Sequence, residues 1–198
     1  MNRPRLERGL VEVYTGNSKG KTTCALGLAL RAVGHGFKVY IIQFMKGSSY
    51  TGELYSSQRL YPNLQIVQFG RNCPYASMIK SGVKKCNGCG QCFAKGKGQM
   101  EDQEIADLAY QHAKEIIMSD EYDIVILDEV NNALGYELVS IEQLTDLIEN
   151  KPEQVELVFT GRYFPPQEII DLADLVTEMK QIKHPYEKGI SSRRGIEY

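Results

Sequence analysis

No apolar run in this 198-residue chain is long enough to span a bilayer, which excludes an ordinary transmembrane helix. No charge of one sign dominates either: 23 Lys and Arg face 25 Asp and Glu, a net charge of −2, which argues against general nucleic-acid binding. The first residues, Met1 to Arg8, carry charge but no apolar stretch of the kind a secretory signal needs. A cytoplasmic protein is therefore expected, with neither nucleic acid nor membrane as partner. In that compartment cysteines serve as metal ligands or redox groups more often than as disulfides. Internal repeats are missing, tryptophan is absent, and no Asp or Glu interrupts the stretch from Arg71 to Met100. What is present is a 42% apolar composition, enough for a core in a single domain over residues 1–198, with a cysteine-rich insert at about 71–98.

Apolar strand-like runs alternate with helical patterns, which predicts an α/β fold of the P-loop NTPase-like, three-layer type. Its central sheet is expected to be mostly parallel, with about five to six strands and helices on both faces. The runs are Leu10–Tyr14, Lys38–Phe44, Leu64–Phe69, Ile124–Leu127, Val155–Phe159 and Leu175–Met179. Helices are expected over Thr23–Val33, near Glu53–Leu60, through the stripe Ile105 to Ile117, over Ile141–Glu149, and after Pro166. Gly34-His35-Gly36 supplies a stop, and Ser140 with Gln143 has the spacing of a capping box. His112 lies on an apolar stripe and reads as a satisfied, semi-buried histidine. His184 has no assignable chemistry.

The turn Thr15-Gly16-Asn17-Ser18-Lys19-Gly20-Lys21-Thr22-Thr23 joins the first strand to the first helix. Strand, glycine-rich turn, Gly-Lys-Thr, helix is the setting of a phosphate-binding P-loop. Its backbone N–H groups and the helix N-terminus favour a polyphosphate such as that of ATP. Lys21 can reach terminal phosphates, and Thr22 can offer a hydroxyl to Mg2+. Thr15 stands where such loops usually have their first glycine. Downstream, the buried-type strand Ile124–Leu127 ends in Asp128-Glu129. Carboxylates at the C-terminal end of such a strand sit where α/β folds bind ligands, and either can bind Mg2+ beside Thr22. Glu129 is the first choice for the closer contact and Asp128 the alternative.

Cys73, Cys86, Cys89 and Cys92 form a second signal. The run C-x-x-C-x-x-C resembles iron–sulfur ligand runs more than paired zinc knuckles, and both an iron–sulfur cluster and Zn2+ stay open. Gly88 and Gly90 suit a tight loop. Arg71, Lys80, Lys84, Lys85, Lys95 and Lys97 would offset thiolate charge, or dock an acidic electron donor such as a flavodoxin- or ferredoxin-like protein. Cys24, inside the first helix, reads as a small packing residue.

Taken in order, the P-loop run, Arg31 to Gly36, Gln43-Phe44-Met45-Lys46-Gly47 and Leu127-Asp128-Glu129 resemble the P-loop class of ATP:corrinoid adenosyltransferases. So do Thr160-Gly161-Arg162, Asp171 to Met179, Lys183-His184-Pro185-Tyr186 and Gly195-Ile196-Glu197-Tyr198. The resemblance runs from about Gly9 to Tyr198. It implies transfer of the 5′-deoxyadenosyl group of ATP to a reduced corrinoid, with triphosphate released. It further implies that Gly20, Lys21 and Thr22 hold phosphate and Mg2+, that Glu129 completes the metal site, and that Arg162 contacts phosphate. A homodimer is implied as well. Relatives can carry a Phe-x-Trp segment at the corrinoid; here Phe69, Tyr75 and Phe93 are the aromatic candidates. Two other readings stay open: a P-loop nucleoside kinase with a cysteine zinc site, and a nucleotide-gated iron–sulfur carrier. The first would form ADP; the second would carry a transferable cluster and need no corrinoid.

Overall fold

The computed structural model describes residues 4–47, 50–86, 89, 91–92 and 99–198. Phe93, Gly88, Gly90, Lys95 and Lys97 lie outside these. Chain order is β1 (Val11–Thr15), α1 (Lys21–Gly34), β2 (Val39–Phe44), α2 (Gly52–Leu60), β3 (Leu64–Phe69), α3 (Ala76–Lys80) and α4 (Met100–Met118). It continues with β4 (Ile124–Asp128), α5 (Val130–Gly135), α6 (Ile141–Asn150), β5 (Glu156–Thr160), α7 (Gln167–Leu172) and β6 (Leu175–Glu178). The strands form one sheet in the order β3-β2-β4-β5-β1-β6, every neighbouring pair parallel.

A parallel sheet is covered on both faces, so its inner strands read as continuous apolar runs. Successive side chains still alternate sides. Tyr40, Ile42, Phe44, Val125, Leu127, Leu157 and Phe159 point to one face, where α4, α6 and α7 cover them. Val39, Ile41, Ile124, Ile126 and Val158 point to the other, against α1. That helix packs through Ala25, Ala29 and Ala32, small residues on one stripe that let it lie close to the sheet. Helix α6 begins with the capping box: Gln143 N donates to Ser140 Oγ at 3.2 Å, and Ser140 N to Gln143 Oε1 at 2.8 Å. Such a cap contributes about 1 kcal/mol. His112 meets the Tyr40 hydroxyl at 2.8 Å, the satisfied role its stripe predicts.

Two helices, α3 and α5, are absent from the sequence reading. With 5 and 6 residues they hold too few turns for an apolar period to register. All the strand ends that matter below lie on one edge. Register pairs Tyr14 with Thr160, Leu127 with Phe159 and Gln43 with Asp128, so the C-terminal ends of β1, β5, β4 and β2 stand side by side.

Candidate active site

The turn between β1 and α1 needs its glycines. Gly16 and Gly20 have φ of 105° and 124°, which L side chains rarely adopt. A Cβ at Gly16 would also fall 2.5 Å from Met179 O. The chain after β6 presses there, with Met179 N donating to Thr15 O at 2.7 Å and Ser18 N to Met179 O at 3.1 Å. Thr15 is fully buried and donates its hydroxyl to Tyr163 O at 2.9 Å, a bond that glycine cannot make. Lys21 lies within the turn, its Nζ on Gly16 O at 2.7 Å and Ser18 O at 2.6 Å. Burial pulls its pKa below the usual lysine value, helped by the nearby Arg162 charge and opposed by Glu129 and Asp128.

Asp128 is the hub of the strand ends and is 1% exposed. Four side chains donate to it: Thr22 at 2.8 Å, Thr160 at 2.6 Å, Gln43 at 3.0 Å and Lys46 at 2.5 Å. Burial would raise its pKa, but Lys46 and the hydroxyl donors overcome this and hold it below the ordinary aspartate value. Burial likewise works against the Lys46 ammonium, and the Asp128 and Glu129 charges outweigh it.

Glu129 follows in a left-handed conformation, φ 64°, as the N-cap of α5. A non-glycine residue held there carries strain on the order of 1 kcal/mol, of a kind that gathers at functional sites. Its pKa is raised by burial first and by the Asp128 carboxylate second. Asn132 donates its side-chain amide to the Glu129 carboxylate. The same side chain accepts from Arg162 N at 2.6 Å. Thr160 joins the same two strand ends, accepting from Glu129 N at 2.9 Å.

The site therefore collects Gly16 to Thr23, Asp128, Glu129 and Arg162 on one edge of the sheet. The Thr22 hydroxyl rests on Asp128 rather than on Glu129. Sequence reasoning gave no role to Gln43, Lys46, Thr160 or Asn132. Gln43, Lys46 and Thr160 lie in blocks that carry the resemblance, and Asn132 has only its position as a signal: in a parallel sheet every strand's C-terminal end faces the same crevice. Of the aromatic candidates, Phe69 packs against His112 and the core, and Tyr75 lies under the Lys84 ammonium, 3.6 Å from its ring centroid.

Cys73, Cys86, Cys89 and Cys92 form no disulfide. Cys73 and Cys92 are buried and Cys86 half-buried in a cluster with Tyr50, Ile79, Tyr75 and Tyr198, while Cys89 is exposed. As placed, no three His, Cys, Asp or Glu side chains among the described residues stand close enough together to hold a metal. Cys24 packs under the sheet on the α1 side.

A glycine-rich turn feeding a helix, with a buried aspartate on the helix's first threonine, within an all-parallel sheet, is the architecture of an α/β protein of P-loop type. The sheet fold is shared with the flagellar accessory protein FlaH from Methanocaldococcus jannaschii, at a TM-score of 0.52 and 13% identity over 87% of this chain and 72% of that one. The chain belongs to the ATP:corrinoid adenosyltransferase BtuR/CobO/CobP family, whose pattern it matches over residues 7–198. It is 33% identical to a corrinoid adenosyltransferase of Sinorhizobium sp over 97% of this chain and 81% of the relative. It is 32% identical to those of Escherichia coli K12 and Salmonella typhimurium, each over 97% of this chain and 87% of the relative. The protein is thus a transferase acting on corrinoids, and the kinase and cluster-carrier readings find no support among these relatives. No helix among the described residues is long and apolar enough to cross a membrane.

Proposed function

We propose that this chain, acting as one domain, transfers the 5′-deoxyadenosyl group of ATP to the cobalt of a reduced corrinoid and releases triphosphate. Co(I) supplies the electron pair for the new cobalt–carbon bond at C5′. The C5′–O bond breaks, and its electron pair leaves with the triphosphate. The protein's main task is then to steady a departing polyanion, for which a positioned donor is worth about 10²–10³ in rate. The turn from Gly16 to Thr23 is the donor set, with Lys21 as its cation and Arg162 as a further contact. Lys46 faces the same crevice from β2.

Thr22, Asp128 and Glu129 offer hard oxygen donors of the kind Mg2+ takes, and the 2.8 Å contact between Thr22 and Asp128 is the observation that supports placing it there. Bound there, Mg2+ would neutralise phosphate charge. Asn132 positions Glu129 and the Arg162 backbone for the same task. A thiolate centre, either zinc or iron–sulfur, at Cys73, Cys86, Cys89 and Cys92 has the cysteine spacing as its support, and the side chains as placed do not fit it, since no three of them come together. Cytoplasmic placement suits cysteines that form no disulfide. A homodimer and an acidic electron donor of flavodoxin or ferredoxin type complete the reading.

Phosphorus NMR of the products tests it. With Mg-ATP and chemically reduced corrinoid under anaerobic conditions, triphosphate should appear in step with ATP loss. ADP, or ATP loss without corrinoid, would overturn the reading.

A further inference from the structure

We propose that Thr15 is a positioning residue: its hydroxyl holds the loop that carries Arg162 and so sets where the guanidinium meets the triphosphate. The proposal rests on the reading of Arg162 as a phosphate contact and adds the residue through which that contact is placed.

Thr15 is the last residue of β1, and β1 lies between β5 and β6 in the sheet. Turns of this type usually have glycine there. Glycine is required where φ is positive or where a side chain has no room. Neither condition holds at Thr15, which ends a regular strand and is not among the residues of positive φ. Its side chain is fully buried and polar. A buried hydroxyl without a partner is costly, and this one donates to Tyr163 O at 2.9 Å.

The loop from Gly161 to Tyr163 is seated from two sides. Gly161 N donates to Tyr14 O at 3.2 Å, on the β1 side. Arg162 N donates to Asn132 Oδ1 at 2.6 Å, on the α5 side. A Cβ at Gly161 would fall 2.6 Å from the Asn131 Cβ, so the chain lies flush on α5. The Tyr163 ring covers Gly135, where a Cβ would fall 2.3 Å from it, and meets Tyr136 edge-on at 5.8 Å between centroids. Asn132 therefore fixes the backbone just before the arginine side chain, and Thr15 fixes it just after. Arg162 itself is exposed. Burial lowers the Lys21 pKa and the Arg162 charge adds to this, so the two cations share one space.

Asn132 also bonds Glu129, so its loss disturbs two groups at once. The Thr15 hydroxyl serves the loop. The same residue opens the nucleotide turn, and its carbonyl accepts from Met179 N at 2.7 Å. Thr15 thus sets the spacing between the two parts that grip the triphosphate, the turn and the arginine. Valine there would keep the shape, leave Tyr163 O without this donor and loosen the loop. A misplacement of about 1 Å can cost roughly 100-fold in rate.

Inorganic tripolyphosphate is the probe, because it reports the grip without the chemistry. Its affinity for the full chain is measured by calorimetry, beside kcat and KM with Mg-ATP and reduced corrinoid, and urea unfolding checks that each variant is folded. Arg162→Ala should weaken tripolyphosphate about 10-fold or more. Thr15→Val should weaken it roughly 3- to 10-fold and lower kcat about 10-fold, with a smaller rise in KM. Thr15→Ser, which keeps the hydroxyl, should stay near wild type. Thr15→Ala differs from serine by that oxygen alone and should behave as valine does, which carries the comparison should valine not fold. In an Arg162→Ala background, Thr15→Val should change tripolyphosphate affinity no further. Valine near wild type with serine the weaker variant would make Thr15 a packing residue and overturn the proposal. So would a loss from valine that is equal with and without Arg162. Undiminished tripolyphosphate affinity in Arg162→Ala overturns the phosphate contact itself, and the positioning role falls with it.

Discussion

Replacing Lys46 by methionine keeps most of the side chain's bulk and removes the one cation that touches Asp128 among the described residues. Asp128 is 1% exposed, and the Lys46 side chain is 19% exposed. Breaking a buried pair by deleting one partner costs about 3–5 kcal/mol, because the remaining charge is left uncompensated. Thr22, Thr160 and Gln43 still donate to Asp128, so the lower end, about 3 kcal/mol near neutral pH, is expected. In a chain of this size that lowers the melting temperature by roughly 6–12 °C. The sign with pH follows from the depressed pKa of Asp128. A carboxylate held below its unfolded value stabilises the fold above that value, about 3.9, and the benefit is lost as pH falls through the folded pKa. The variant's deficit should therefore be large at neutral pH and shrink toward pH 4 and below. Urea unfolding of both proteins across that range measures it, and Lys46→Met with Asp128→Asn should recover most of the loss. An unchanged midpoint, or a deficit equal at acid and neutral pH, would contradict a stabilising charge pair between Lys46 and Asp128.

Lys21→Ala should lower turnover about 100-fold or more while leaving the melting curve near wild type, since among the described residues its Nζ bonds only carbonyls of its own turn; steady-state rates and calorimetry check both halves. Asn132→Ala removes a bond to a carboxylate and one to the Arg162 backbone, and should cost about 10-fold or more in kcat with a smaller change in KM for ATP. Asn132→Asp, which keeps only the acceptor, should not rescue it. Glu156 is held up to about 7 by burial and by neighbouring Glu12, against the pull of the Leu10 N–H. A carboxyl raised in the fold contributes its stability below about pH 4.5 and loses it as pH climbs toward 7. Glu156→Gln should flatten that decline and stabilise the protein on the order of 2–3 kcal/mol near pH 8, read by urea unfolding.

The strands were legible because burial on both faces leaves a compositional trace that needs no partner to be seen. Ile41 and Ile42 announce β2 whichever neighbour lies beside them. The capping box was legible for the same local reason. The glycine-rich turn was legible from order alone, strand to Gly20-Lys21-Thr22 to helix. Thr15 looked like a defect until Tyr163, 148 residues away, appeared as its hydrogen-bond partner. Asp128 and Glu129 are adjacent in sequence, and only the left-handed turn at Glu129 separates their surroundings. It leaves Asp128 in the sheet against Thr22 and sends Glu129 to Asn132. Lys46 could not be assigned a role, because what it does depends on β2 lying beside β4, a fact of topology. The cysteine spacing told which thiols lie near one another along the chain, but not that Cys89 would face outward or that Tyr198 would close the cluster.

The reaction proposed for this chain forms a cobalt–carbon bond from the C5′ of ATP. The most direct measurement uses Mg-ATP labelled with carbon-13 at C5′, reacted anaerobically with chemically reduced corrinoid and followed by carbon NMR and the cobalt absorption bands. The label is expected to move onto cobalt in step with the spectral change, and Lys21→Ala to slow both together. Label that stays in an adenine nucleotide while wild-type protein consumes ATP would contradict it.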